Sequence, residues 1–180
     1  DDIAESGDYF QIAAEDVKRL KGELIPTTSR HRRMFTVRRP VGVWVAITPW
    51  NFPVMIPMEY VGPGLATGNA VIVKPPEFTS WALLEMAKVF EEAGAPKGAI
   101  QVIPGAGDIG TQLVTHDGVD AVGFTGSSAT GKKIVSVMGL KRSIMEMSGN
   151  GPTVVTADAD VAKAAEAAVS SPNTGALERA

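Results

Sequence analysis

From Val41 onward the chain alternates short, continuous apolar runs with longer stretches of mixed polarity. Uninterrupted apolar runs are what strands need when both faces of a parallel sheet are covered, whereas a half-solvated sheet shows strict alternation. The pattern predicts strands at Val43 to Thr48, Ala70 to Lys74, Ala99 to Ile103, Asp120 to Phe124, Ser143 to Met147 and Thr153 to Thr156. Helices are predicted between them near 55–67, 79–93, 108–116 and 127–138. Right-handed crossovers assemble these elements into an α/β fold, a doubly wound three-layer sandwich with a mostly parallel sheet. In such folds ligands lie outside the carboxyl ends of the strands, so the residues just after each strand carry the functional interest.

Upstream the period changes. Ile3, Phe10, Ala13, Val17 and Leu20 recur at helical spacing, with acids early and Lys18, Arg19 and Lys21 late, which predicts a helix over 1–22 ending near Gly22. Residues 23–40 carry Pro26, the turn cluster Thr27-Thr28-Ser29 and the basic run Arg30-His31-Arg32-Arg33. Met34 to Arg39 then alternate like an exposed β-ribbon. The expected organisation is an N-terminal helix (1–22), a ribbon serving as an oligomerisation element (23–40), an α/β domain (41–171) and a tail (172–180).

Composition narrows the functions open to this fold. The 180 residues hold 17 Lys+Arg against 20 Asp+Glu, a net charge of −3, so the basic run reads as a solvated strand pair or subunit contact and not as a nucleic-acid footprint. A chain of this length buries enough surface to need neither disulfide nor metal. It has no Cys, which excludes thiolate zinc sites and a cysteine nucleophile within these residues, and its two His, at 31 and 116, make no metal cluster. No apolar run approaches the roughly 20 residues that span a bilayer. No partner membrane or signal peptide is expected, and cytoplasm is the default compartment. Asp1-Asp2 in place of an initiator Met suggests processing or a fragment.

Three loops at strand ends carry candidate chemistry. Gly105-Ala106-Gly107-Asp108-Ile109-Gly110 is a literal G-x-G-x-x-G between a strand and a helix, where bare backbone approaches a pyrophosphate. The ribose-binding acid expected about 20 residues later is missing, so a plain tight turn is an equal reading. Gly126-Ser127-Ser128-Ala129-Thr130-Gly131-Lys132-Lys133 nearly spells a P-loop, but Lys133 stands where a hydroxyl would hold Mg²⁺. With Asp158 imitating a second Mg²⁺ carboxylate, a P-loop-like phosphohydrolase is an alternative. In Thr48-Pro49-Trp50-Asn51-Phe52-Pro53 two prolines stop the strand and fix a turn. Asn51 there either caps the next helix or presents an amide N–H to a developing oxyanion.

Pro49-Trp50-Asn51-Phe52-Pro53, Lys74-Pro75-Pro76-Glu77, Phe124-Thr125-Gly126-Ser127 with Gly131, Glu146-Met147-Ser148-Gly149 and Asp158-Ala159-Asp160 occur in this order and spacing. Together, over about residues 1–171, they resemble the NAD(P)-dependent aldehyde dehydrogenase superfamily and its Rossmann-like cofactor domain. The resemblance implies that Asn51 stabilises the oxyanion of a thiohemiacetal and that Glu146 is the general base that activates water against the thioester. It also implies that Ile47, Pro49 and Trp50 line the cofactor cleft and that Lys74 and Glu77 hold the adenosine ribose. Gly107 would approach the adenine side, Gly126 and Ser127 the pyrophosphate, and Phe124, Thr125 and Met147 the ribose and nicotinamide. Glu77 would accept from a 2′-hydroxyl and repel a 2′-phosphate, favouring NAD over NADP.

Read without the resemblance, Lys74 to Glu77 is a solvated loop, and Glu146, between Met145 and Met147, is equally a charge closing a strand or a functional carboxylate. The family's Glu-Leu-Gly-Gly is here Glu146-Met147-Ser148-Gly149, and its Asn-x-Gly-Gln-x-Cys segment is replaced after Asn173-Thr174-Gly175 by Ala176 to Ala180. The expectation is a truncated cofactor-binding portion, inactive alone on its small aldehyde substrate, with residues 28–40 joining subunits of a homo-oligomer. The alternative is a non-catalytic nucleotide-binding or assembly module.

Overall fold

Parallel strands in the order β5-β4-β3-β6-β7 form the central sheet: β5 (Ile100–Val102), β4 (Ala70–Lys74), β3 (Val43–Ile47), β6 (Ala121–Thr125) and β7 (Arg142–Glu146). This is a computed structural model, and it describes residues 2–147, 149 and 154–170. The helices are α1 (Asp2–Val17), α2 (Met55–Ala66), α3 (Ser80–Glu92), α4 (Gly107–Thr115), α5 (Ser128–Val137) and α6 (Val161–Ser170). Residues up to Met147 make one compact unit, and those from Ser148 onward belong to a second. Among the described residues no helix is long and apolar enough to cross a membrane.

The strand order reverses beside β3. The chain runs outward from β3 through β4 to β5, then returns to place β6 on β3's other side, in register from Trp44↔Ala121 to Ile47↔Phe124. Because adjacent residues of a strand face opposite ways, the inner strands β3 and β4 each feed two cores. Val45, Val122 and Phe124 pack with Val114, Val119, Ile134 and Met138 on the α4/α5 face. Ala46, Val71 and Val73 pack with Val54, Met58, Val61 and Leu83 on the α2/α3 face. These buried runs are the three layers expected from the sequence.

Two polar clamps fix where β3 starts. The buried Asn69 side chain accepts from the Val41 and Gly42 N–H groups at 2.6 and 3.0 Å and donates to Gly64 O and Thr67 Oγ1. Asp120 Oδ2 accepts from Val43 N–H at 2.8 Å. Gly42, at φ +130°, lies so close to this carboxylate that a Cβ would overlap it. A third clamp joins the N-terminal helix to the sheet domain. Asp2 accepts from the Val54 and Met55 N–H groups at 3.0 and 2.9 Å, so α2 is capped from a residue far away in sequence.

Several expectations need correction. The first helix stops at Val17 and not near Gly22, because beyond it Leu20 is exposed and finds no packing partner to offset the ordering cost. β7 ends at Glu146, with Met147 turning inward to pack against the α4/α5 core. The strand expected at Thr153 to Thr156 is not formed over 154–156, where Val154 and Val155 are exposed, and Thr153 lies outside the described residues. The sequence pattern predicts no helix at α6, whose start Asp160 caps by accepting from Ala162 and Lys163 N–H. The ribbon is a minimal antiparallel pair, β1 (Leu24–Ile25) with β2 (Met34–Phe35).

Asn69→Ala is expected to cost about 1–3 kcal/mol, since it strands two backbone donors, and Asp2→Ala about 1 kcal/mol through the lost cap. Urea unfolding of each variant checks both, and unchanged midpoints would contradict the clamps.

Candidate functional site

At the carboxyl ends of β3 and β4 a cleft of about 570 Å³ opens between α4 and α5. Ile47, Lys74, Gly107, Gly110, Thr111 and Val114 form one side, and Thr130, Lys133, Ile134, Ser136 and Val137 the other. Its size is that of small-molecule sites, and it lies at the strand reversal where doubly wound sheets bind ligands. Lys74 is only 7% exposed. Among the described residues no carboxylate or carbonyl pairs with its ammonium, so a buried stem carries a cation into the cleft without a protein partner.

The first glycine loop divides its labour. Gly105, at φ +153°, sits so close to Ile109 that a Cβ would stand 2.5 Å from Cγ1. Gly107, the first residue of α4, would meet no protein atom within 4 Å, so its missing side chain leaves open space at the helix start. Ala106, the residue before it, makes no side-chain cap. The α4 N-terminus thus keeps its first-turn N–H groups uncapped by a side chain at the cleft.

The second glycine loop is closed. A Cβ on Gly131 would overlap Met147 Sδ, and one on Gly126 would stand 2.8 Å from the Phe124 ring. Ser127 Oγ caps α5 by accepting from Thr130 N–H, and Ser128 Oγ donates to Met147 O at 3.0 Å. The space and hydroxyls that a Mg²⁺-triphosphate loop needs are spent on packing and capping. Asp158 belongs to the second unit, where the Thr156 hydroxyl holds its carboxyl below the usual carboxylate range.

On the opposite face of the sheet stand the acid–base groups. Thr125 and Glu146 are register partners across β6 and β7. Thr125 Oγ1 donates to Glu146 Oε2 at 3.1 Å and lies 2.8 Å from Tyr60 Oη. Glu146 is exposed and Thr125 buried. Burial pushes the Tyr60 phenol above its ordinary pKa, and the Glu146 and Glu59 carboxylates add to the rise against the lowering effect of the Thr125 bond.

Of the residues singled out from sequence, Ile47, Lys74 and Gly107 come together in the cleft. Pro49, Trp50, Glu77, Phe124, Thr125, Gly126, Ser127 and Met147 are not among its lining residues. Phe124 and Met147 pack in the α4/α5 core, Trp50 is 59% exposed, and Glu77 is exposed beyond the end of β4. The solvated-loop reading of Lys74 to Glu77 fails at its first two residues, since Lys74 and Pro75 are buried. Asn51 is exposed on its turn, and it does not cap α2, which takes Asp2 instead. Ser148 and residues 173–175 lie outside the described residues. Sequence reading missed Thr111, Val114, Thr130, Ile134 and Val137 as cleft residues. Helical spacing from Gly107 and Ser127 was the available signal, because one face of each helix looks over the sheet end.

The model for the aldehyde dehydrogenase family matches residues 1–175. The chain belongs to the aldehyde dehydrogenase family. A 3-sulfolactaldehyde dehydrogenase of Priestia aryabhattai is 42% identical over 169 residues, 91% of this chain and 35% of that protein. The mitochondrial succinate-semialdehyde dehydrogenase of Arabidopsis thaliana is 40% identical over 163 residues, 89% of this chain and 31% of its own. Among solved structures, the NAD⁺ complex of an aldehyde dehydrogenase from Bacillus cereus superposes with a TM-score of 0.86 at 37% identity, over 93% of this chain and 35% of that one. The chain spans about a third of the length of the curated relatives it matches.

Glu146→Gln is expected to lower the titration midpoint of Tyr60, since a charge that raises it is removed. Side-chain ¹³C NMR of the phenol reads this directly, and an unmoved midpoint would refute the coupling across the β6–β7 edge.

Proposed function

We propose that this chain is the cofactor-binding portion of an enzyme that oxidises a small aldehyde to a carboxylic acid by hydride transfer to NAD, with NADP as the alternative acceptor. The observation that carries the reading is the Lys74 ammonium, carried on a buried stem and without a partner among the described residues, facing a cleft of about 570 Å³ beside an uncapped helix start. A cation held at the wall of a cleft attracts an anion or a lone pair. A nucleotide supplies both, and the apolar walls at Ile47, Val114 and Ile134 suit its flat base.

Lys74 and Glu77 would hold the adenosine ribose and Gly107 the adenine side, with Pro49, Trp50, Phe124, Thr125, Gly126, Ser127 and Met147 extending the site along the sheet end. What the bound cofactor supplies is a hydride acceptor. The Asn51 amide, free on a turn fixed by prolines, donates to the oxyanion that forms when a thiol adds to the aldehyde carbonyl. Glu146 takes a proton from the water that hydrolyses the resulting thioester. The sequence holds no Cys, so the thiol is not among these residues and they do not oxidise aldehydes by this route alone. The exposed ribbon residues Met34, Phe35 and Val37 favour a subunit contact through residues 28–40, giving a homo-oligomer.

Calorimetric titration of the 180-residue chain with NAD, NADP and ATP–Mg²⁺ tests the reading. NAD is expected to bind, more tightly than NADP, and to weaken about tenfold or more in the Lys74→Ala, Glu77→Ala double variant, from charge-assisted hydrogen bonds worth about 1.5–3 kcal/mol. No NAD binding by folded protein, or binding of ATP–Mg²⁺ alone, would overturn it.

A further inference from the structure

We propose that Tyr60 is a positioning residue for Glu146, acting through the hydroxyl of Thr125. The directions of the hydrogen bonds follow from proton counting. An ionised carboxylate only accepts, so the single Thr125 hydroxyl proton is spent on Glu146 Oε2 at 3.1 Å. The Thr125 oxygen must then accept at 2.8 Å, and the Tyr60 O–H is its donor. The result is a one-way chain from Tyr60 to Thr125 to Glu146 that fixes the hydroxyl rotor and, with it, one oxygen of the carboxylate.

The backbone sets up this chain. Thr125 is paired in register with Glu146, and Gly123, two residues earlier, presents the same face of β6 to α2. A Cβ at Gly123 would stand 2.5 Å from Tyr60 Cδ1 and Cε1, so the ring lies against bare backbone that no other residue offers. The half-buried phenol stays protonated, and therefore a donor, across the neutral range. A long carboxylate at an exposed strand end would otherwise distribute itself over several rotamers. Pinning one oxygen leaves the side chain open to solvent yet fixed in direction, which is what a base that must meet a water molecule requires. None of the sequence motifs includes Tyr60.

This role rests on reading Glu146 as the water-activating base, but its physical content is the order of the Glu146 and Thr125 side chains, which NMR measures without any turnover. In the unaltered chain, ³J couplings are expected to show a single χ1 rotamer for both residues. Tyr60→Phe keeps the ring over Gly123 and is expected to average the Thr125 and Glu146 rotamers, Thr125→Val to average Glu146 alike, and Thr125→Ser to restore its order. Couplings unchanged by Tyr60→Phe would overturn the proposal. Should that variant lose the fold, Thr125→Val decides in its place, and a Glu146 that stays ordered there would overturn the proposal equally. In a longer chain that turns over aldehyde, Tyr60→Phe is expected to lower kcat about tenfold with KM unchanged, a fraction of what a general base contributes. Such a chain inactive with Tyr60 intact would fail the dehydrogenase reading and leave the coupling result standing.

Discussion

The parallel pairing of β3 with β6 is the contact on which the site depends. It joins a half-sheet grown outward through β4 and β5 to one grown through β7, and it holds Ile47 beside Phe124 at the carboxyl end. Its register is set at the other end, where Asp120 both donates its N–H to Val43 O and accepts from Val43 N–H. Asn69 meanwhile satisfies the two N–H groups that precede the strand. A slip of one residue would send every side chain of β3 to the wrong face, exchanging Val45 for Ala46 in the two cores. The clamps are directional hydrogen bonds, from a buried Asn69 and an exposed Asp120, so they are satisfied only in this one alignment.

From that alignment the two faces take different work. On the α4/α5 side, Ile47, Lys74 and Gly107 converge on a cleft whose cation has no partner among the described residues. On the α2 side, Thr125 and Glu146 lie at the same height but point away, towards Tyr60. The alternation of the strand thus separates the face that bears the cleft from the face that bears the Tyr60, Thr125 and Glu146 hydrogen bonds, since Phe124 belongs to one and Thr125 to the other.

What could be read from sequence was what a strand or turn carries locally. Uninterrupted apolar runs exposed the inner strands β3, β4 and β6 because both their faces are covered, and the prolines around Asn51 marked the turn. Contacts between distant residues were out of reach. Asn51 as a helix cap was a reasonable local reading, but the cap comes from Asp2, more than 50 residues away. The P-loop spelling at Gly126 to Lys133 is likewise undone by a residue outside it, Met147, which fills the space beside Gly131. Tyr60 gave no signal at all, because its partner Thr125 is 65 residues distant and only the bare backbone of Gly123 brings them together. α6 was hidden by the expectation of a strand just before it, although Asp160 followed by an alanine-rich stretch has the form of a capped helix.

The central claim is that the α4/α5 cleft is where the nucleotide lies. The most direct measurement is a backbone-amide NMR map of the isotopically labelled chain as NAD is added. The expected result is a set of shifted amides centred on Ile47, Lys74, Gly107, Gly110 and Thr111, with the ribbon residues 24–35 unmoved. Shifts centred elsewhere, or saturating binding that leaves these amides in place, would contradict it.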